Sequence, residues 1–421
     1  MSKISLIACV LMAVGAVGQL PSPCITPPQF ACRGMEINHV DDVIRRFIIG
    51  YDATNKRKVM FEEEREIIPG RQLHEYLILN NDNVAYDFNM KTKECIKSVP
   101  RTWRDFGIPP NATFEDEYYI GGPGEEVFAQ EWSDRIPFRQ REAWLGSFTL
   151  NGCYPIHSLI IGPEETPNDT VTMRFYDIVG GIPNPNDFIP PPECLQAKWG
   201  VSTIRSYWSR YVEDLAGRVC VDGRWGLGAA PCITPPQFTF RGMEINHVDD
   251  AIRRFIIGYD ATNRRKVMFE EEREIIPGRQ YHEYLVLNND NVAYDFNMKT
   301  KECTKSVPRT WRDFGIPPNA TFENEYYIGG PGEEVFAQEW SDRIPFRQRE
   351  TWLGSFSLNS CYPIHSLIIG PEESPNDTVT MHFYDIVDGI PDPNDFIPPL
   401  QSACRLSGES RPCPHTGRGR H

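Results

Sequence analysis

The sequence predicts a mainly β protein in which one domain, an antiparallel sandwich or barrel-like sheet, is written twice in tandem. Three observations carry that prediction. Adding 208 to a residue number maps Cys24 onto Cys232, Cys95 onto Cys303 and Cys153 onto Cys361 without a gap, and nearly every position from Cys24 to Pro192 keeps its residue type. Apolar residues alternate with polar ones at the two-residue period of half-buried strands. Helical periodicity is scarce, and turn-forming residues separate the alternating runs.

Taken in chain order, residues 1–18 read as a secretory signal: Lys3 precedes a mainly apolar run, Ile4 to Val17, with small residues at Ala16 and Gly18. The run is too short for a membrane span, so a soluble, exported chain with no transmembrane segment is expected. The first domain occupies 19–197. In it, "NHVDDVIRRF" predicts one short helix, with Asn38 or Asp41 as its cap. "NVAYDFNM" sets Val84, Tyr86, Phe88 and Met90 against Ala85, Asp87 and Asn89, and Asn80 to Asn83 supplies hairpin-turn chemistry ahead of it. "GGPGEE", Gly121 to Glu126, is a turn between strands. "EAWLGSFTL" aligns Trp144, Gly146 and Phe148, and "TVTMRFYDIV" aligns Val171, Met173 and Phe175. The second domain, 231–404, repeats these elements. Between them, 198–230 is a linker in which Ile204, Trp208, Tyr211 and Leu215 recur at the spacing of a short helix. Residues 405–421 are polar, Gly/Pro-punctuated and read as a disordered tail.

Composition narrows the function. A formal charge of −15 over 421 residues argues against binding nucleic acid. Twelve cysteines suit an oxidising compartment. Asn111, Asn168, Asn319 and Asn376 each head an Asn-x-Thr glycosylation sequon. Acidic clusters at Asp41-Asp42, Glu62 to Glu64, Glu125-Glu126 and Glu164-Glu165 offer oxygen ligands to calcium, although none has EF-hand spacing.

Catalysis finds little support. "HEYLI" at His74 lacks the second His of a zincin, since Ile78 stands at that place. No nucleophile elbow, phosphate loop or dinucleotide fingerprint occurs. "FAQEWSDRIPFRQRE" appears at Phe128 and again at Phe336, and gathers Glu131, Asp134 and Arg135 around Trp132. Without a nucleophile, paired His or ligand set it reads as a packed structural corner, and no enzyme activity is expected.

"PCITPPQF", "YDATNKRKVMFEE", "HEYLILNNDNVAYDFNMKTKEC", "NATFEDEYYIGGPGEEVFAQEWSDR", "LNGCYP" and "RFYDIVGGIPNPNDFIPPPEC" together resemble the ependymin family, in its mammalian ependymin-related and invertebrate branch. The resemblance spans nearly all of both copies. It implies two stacked antiparallel sheets around an apolar pocket in each domain, similar to bacterial lipoprotein carriers. It also implies secreted, disulfide-linked glycoproteins, often dimeric, associated with calcium and cell–matrix adhesion, that hold lipids or other hydrophobic molecules. Carried over residue by residue, Cys24 pairs with Cys153, Cys95 with Cys194, Cys232 with Cys361 and Cys303 with Cys404. A third family bridge is missing, because Gly70 and Gly278 stand in its place, and Cys32, Cys220 and Cys413 are left over. Cys32 becomes Phe240 in the second copy.

Candidate pocket residues are Val84, Tyr86, Phe88, Met90, Trp144, Phe148, Val171, Met173 and Phe175, with Val292, Tyr294, Phe296, Met298, Trp352, Phe356, Val379, Met381 and Phe383 in the second copy. Such residues either line a ligand pocket or fill a core against a facing sheet. The expected function is binding of lipids or fatty acids, with calcium as the one associated ion and no required cofactor. The alternative is a calcium-dependent adhesion protein whose partner is extracellular matrix. Gapless duplication further predicts that the two copies form an internal pseudo-dimer, or that the chain forms a homodimer.

Overall fold

Antiparallel pairing organises both copies. The computed structural model describes residues 22–39, 43–63, 73–100, 102–134, 143–161, 170–196, 231–247, 251–271, 281–308, 310–342, 351–369, 378–398 and 404–406. The expected signal, linker helix and tail lie outside these residues, as do Arg135, Asn168, Asn376, Cys220 and Cys413.

The first repeat contains β1 (Gln29–Asn38), β2 (Val43–Asp52), β3 (Arg57–Glu62), β4 (His74–Leu79), β5 (Val84–Asn89), β6 (Cys95–Ser98), β7 (Thr113–Gly122), β8 (Glu125–Ser133), β9 (Ala143–Thr149), β10 (Pro155–Ile161) and β11 (Thr170–Gly180). The second repeats them as β12 (Gln237–Asn246), β13 (Ala251–Asp260), β14 (Arg265–Glu270), β15 (His282–Leu287), β16 (Val292–Asn297), β17 (Cys303–Ser306), β18 (Thr321–Gly330), β19 (Glu333–Ser341), β20 (Thr351–Ser357), β21 (Pro363–Ile369) and β22 (Thr378–Asp388). A short β23 (Cys404–Leu406) then runs parallel to β17.

The mainly β class and the tandem arrangement agree with the sequence. Within a repeat, two meanders, β1–β6 and β7–β11, join edge to edge through the β1–β11 pair into one eleven-stranded sheet. Sheet-on-sheet stacking occurs between the repeats, where β11 lies on β18 and β22 on β7.

The helix expected from "NHVDDVIRRF" is a correction. Its second half, from Val43, is the start of β2, and Ile44 and Phe47 are buried on opposite faces of the sheet. A cap residue and two aspartates favour a helix locally, but pairing with β1 along ten residues overrides that preference. Both predicted turns are present. Asn83 takes a left-handed φ of 53° between β4 and β5. Gly121, at φ 107°, begins the turn from β7 to β8, and a Cβ there would lie 2.2 Å from the Glu125 carbonyl oxygen, so no other residue fits.

Register assigns every side chain to a face. On one face, a single row crosses five strands in succession: Glu131, Ser147, His157, Arg174 and Met35, with Arg46 following on β2. This face meets the same face of the second repeat. Met35, Ile37, Ile120, Leu145 and Leu159 merge with Met243, Ile245, Ile328, Leu353 and Leu367 into one core. Tyr118 stacks on Tyr384 at 4.3 Å and Tyr176 on Tyr326 at 4.4 Å. Arg46 pairs with Glu339, and Arg254 pairs with Glu131, each across the interface and nearly sealed from water. At the rim, Glu333 accepts from the backbone N–H of Asn151 and Gly152, while Glu125 accepts from those of Asn359 and Ser360. Asp177 and Asp385 likewise accept from the N–H of Tyr327 and Tyr119, each at 2.8 Å.

Removing one partner of a sealed pair leaves a buried charge uncompensated. Arg254→Ala is therefore expected to destabilise the protein by about 3–5 kcal/mol, whereas Arg254→Met combined with Glu131→Leu should be near neutral. Chemical-denaturation midpoints of the two variants check this.

Candidate functional site

Alternation leaves the opposite face of each sheet to form a second apolar surface. In the first repeat Phe30 and Cys32 of β1, Phe47, Ile49 and Tyr51 of β2, Met60 of β3, Trp144 and Phe148 of β9, and Val171, Met173 and Phe175 of β11 share it. The segment between β6 and β7 crosses this face and contributes Trp103 and Phe106. Tyr51 and Trp103 both donate to Asp105, each at 2.8 Å, and the Phe106 N–H donates back to the Tyr51 hydroxyl at 3.3 Å. This small network pins the crossing segment. Burial and the adjacent Asp105 carboxylate push the Tyr51 hydroxyl up from its ordinary range.

Trp103 stacks on Tyr51, and Phe106 stands edge-on to Phe175 at 5.2 Å. The Lys58 ammonium lies over both crossing rings, 4.9 Å from Trp103 and 4.6 Å from Phe106. It donates to the Arg104 carbonyl oxygen at 3.3 Å. Burial lowers its pKa to about 8, which leaves it mostly charged near neutrality.

At one end of this face the repeated "EWSDR" run shows its purpose. Trp132 is buried with Phe148 against the Cys24–Cys153 disulfide, and its indole donates to Gln130 at 2.8 Å. Glu131 points the other way, into the inter-repeat layer. Ser133 donates to Glu115, and Asp134 accepts the Trp144 N–H at 2.6 Å. Every described member of the run holds structure, in keeping with the reading of a packed corner.

The candidate pocket residues do not share one surface. Trp144, Phe148, Val171, Met173 and Phe175 lie on the face just described. Val84, Tyr86 and Phe88 lie on the other, because Tyr86 pairs with Leu77, Leu77 with Val59, Val59 with Gly50 and Gly50 with Ala31. There they are covered by the segment after β11, with Phe188 and Cys194 in the same cluster and Met90 against it. The Cys95–Cys194 disulfide fastens that cover. The second repeat divides identically: Trp352, Phe356, Val379, Met381 and Phe383 on one face, Val292, Tyr294 and Phe296 on the other, with Met298 exposed.

Disulfides join Cys24 to Cys153, Cys95 to Cys194 and Cys232 to Cys361, as the resemblance implies. Cys303 is also disulfide-bonded and faces Cys404 in the parallel ladder, the side chain of Cys404 being outside the described set. Asn111 and Asn319 are exposed. Among the described residues no group of three or more His, Cys, Asp or Glu side chains is arranged to hold a metal ion, and no helix is long and apolar enough to cross a membrane.

Sequence reasoning missed Trp103, Phe106, Tyr51 and their Asp105 anchor. The signal was available: "RTWRDFG" puts two aromatics in an otherwise polar connection, in both copies.

The repeats differ at the middle of this face. Phe240 lies 4.9 Å from Phe383 and 5.4 Å from Phe314, filling the middle of the same face in the second repeat. Cys32 stands there in the first repeat, buried, unbridged, and with its thiol pKa pushed up by burial. The surrounding rings do not close in. Tyr51–Phe106 and Tyr259–Phe314 are 5.0 and 4.9 Å, and Phe106–Phe175 and Phe314–Phe383 are 5.2 and 5.4 Å. The Ile49 methyl lies over Gly34, where Phe240 covers Gly242 in the second repeat.

A family model described as Ependymin matches residues 69–194 and 277–404, more than half of the chain. Mammalian ependymin-related protein 1 of Mus musculus is 37% identical over 194 residues, covering 45% of this chain and 84% of that protein. Its Rattus norvegicus counterpart is 37% identical over 195 residues, covering 46% and 84%. Ependymin of Clupea harengus is 26% identical over 149 residues, covering 34% and 68%. Among solved structures, the LolA superfamily protein NE2245 from Nitrosomonas europaea aligns at a TM-score of 0.22 and 7% identity, over 39% of this chain and 92% of that one. MucB aligns at 0.27 and 8%, over 85% and 87%. Two matched regions, one in each half, and relatives aligned over most of their own length lead to one conclusion: the chain belongs to the ependymin family and carries its domain twice.

Proposed function

We propose that this protein is a secreted carrier of hydrophobic small molecules, lipids or fatty acids, and that the first repeat is the one that loads. The carrying observation is the Cys32 position. An aromatic-walled surface whose central ring is replaced by a thiol keeps its walls in place, so an alkyl chain displacing the Ile49 methyl finds apolar contact on every side. Burial there stabilises by about 0.8 kcal/mol per methylene. Met60 and Met173 at the margins adapt to irregular ligands. Lys58, over the rings of the crossing segment, suits the carboxylate of a fatty acid. The exposed sequons Asn111 and Asn319 fit passage through a secretory pathway.

Native mass spectrometry of the secreted protein with oleate tests the reading. One equivalent per chain is expected. Cys32→Phe should abolish it, and Phe240→Cys should add a second. Failure to bind any long-chain lipid would remove the carrier reading, and calcium-dependent self-association of that ligand-free protein would favour adhesion. Two equivalents in the unaltered chain would remove the selectivity alone.

Lys58→Gln should weaken oleate binding about tenfold or more, as expected for loss of a charge-assisted hydrogen bond, and leave the corresponding fatty alcohol unaffected. Competition titrations with both ligands check this.

A further inference from the structure

Five imidazoles are enclosed where the two repeats meet. His39 and His247 are equivalent residues and face each other, ring centroids 3.1 Å apart and nearly parallel. Each uses Nε2 on a threonine hydroxyl, His39 with Thr172 at 2.9 Å and His247 with Thr380 at 2.8 Å, and each Nδ1 is buried without a hydrogen-bond partner. The other three line a cavity of about 40 Å³ together with Arg174 and Tyr118, Tyr176, Tyr326 and Tyr384. His157 and His382 are 4.5 Å apart, His365 and His382 5.1 Å, and the Nε2 of all three is buried without a partner. His365 Nδ1 sits 3.2 Å from an Arg174 nitrogen, so it is an acceptor and the ring is neutral.

We propose that this cluster makes the pairing of the two repeats acid-labile, the imidazoles taking up protons when the repeats separate. Protonation of any of the three around the cavity would set a cation beside Arg174, in a space of about 40 Å³ that holds a few waters at most. The carboxylates of the layer are already committed. Glu339 faces Arg46 and Arg174, and Glu131 faces Arg254. Glu115 accepts from Ser133 and Glu323 from Ser341. Among the described residues no hydrogen bond or ion pair joins a carboxylate to any of the five rings. Asp41, Asp42, Asp249 and Asp250, which follow His39 and His247 in the sequence, lie outside the described residues.

Burial holds His39 and His157 down at about 3, and lowers His247, His365 and His382 well below the ordinary value, Arg174 adding to the effect on His157, His365 and His382. A histidine depressed in the closed state contributes stability that is complete above about 6.5 and is lost as the pH falls below it. Glu131 opposes this, since burial pushes its carboxyl up and protonation there favours the closed state. Burial likewise pushes up Asp177 at the rim and Glu334 of the facing repeat, while Glu339 and Glu125 are held low and act with the imidazoles. Three carboxyls stand against five imidazoles, so acid wins. Each imidazole that must gain a proton raises the opening constant about tenfold per pH unit below about 6.5.

Hydrogen exchange of the full chain at pH 7.4 and 5.0, corrected for intrinsic rates, tests the proposal. Protection of β7, β11, β18 and β22 should fall at least tenfold more than that of β4 and β5, and His157→Gln with His382→Gln should flatten the difference. If that variant does not fold, NMR titration of the unaltered protein decides. Imidazole signals that stay neutral until the repeats open support the proposal. An imidazole of the cluster titrating near 6.5 in the closed protein, or protection lost uniformly over both sheets, would overturn it.

Discussion

A single β-sheet has two faces, and an eleven-stranded one cannot hide both with its own connections. That constraint organises the rest of the molecule. Part of one face is covered by the segment after β11, pinned by the Cys95–Cys194 disulfide. The remainder, from β7 across β11 to β2, is covered by the other repeat. There the two sheets share a hydrophobic core and exchange Arg46 and Arg254 for Glu339 and Glu131. Tandem duplication supplies the partner at high effective concentration, so pairing of this kind is an intramolecular event.

Because one layer uses both copies, small divergences between them become physical asymmetries. Arg174 in the first repeat corresponds to His382 in the second. Glu339 therefore meets two guanidinium groups and is held below the ordinary carboxylate range, while Glu131 meets one and is pushed above it by burial. Two residues equivalent in sequence thus differ in charge behaviour for a reason two hundred positions away. On the opposite face, Cys32 and Phe240 produce the same kind of split in apolar packing, with unchanged walls around an unequal centre.

The aromatic face that carries Met173 and Phe175 and the inter-repeat layer are two sides of the same strands. In β11, Met173 and Phe175 face inward and Thr172, Arg174 and Tyr176 face the partner repeat.

Strand content, the duplication, both predicted turns and the structural role of "EWSDR" were legible in the sequence, because alternation, repeat identity and turn chemistry are local or self-referential signals. The face assignment was not. Tyr86 and Phe175 each sit in a clean alternating run, yet a run says only that its odd and even positions part company, not which set meets which. That is settled by register across six neighbouring strands, a sum of long-range pairings in which one slip exchanges the faces. The strand beginning at Val43 was misread for the same reason, since its pairing with β1 outweighs the local cap. The sequence by itself determined that there would be two copies of a β domain. Only the tertiary structure decided that the copies bury each other, that nine apolar candidates divide between two surfaces, and that five histidines end in one buried layer, because burial belongs to the assembled sheets and not to any segment of the chain.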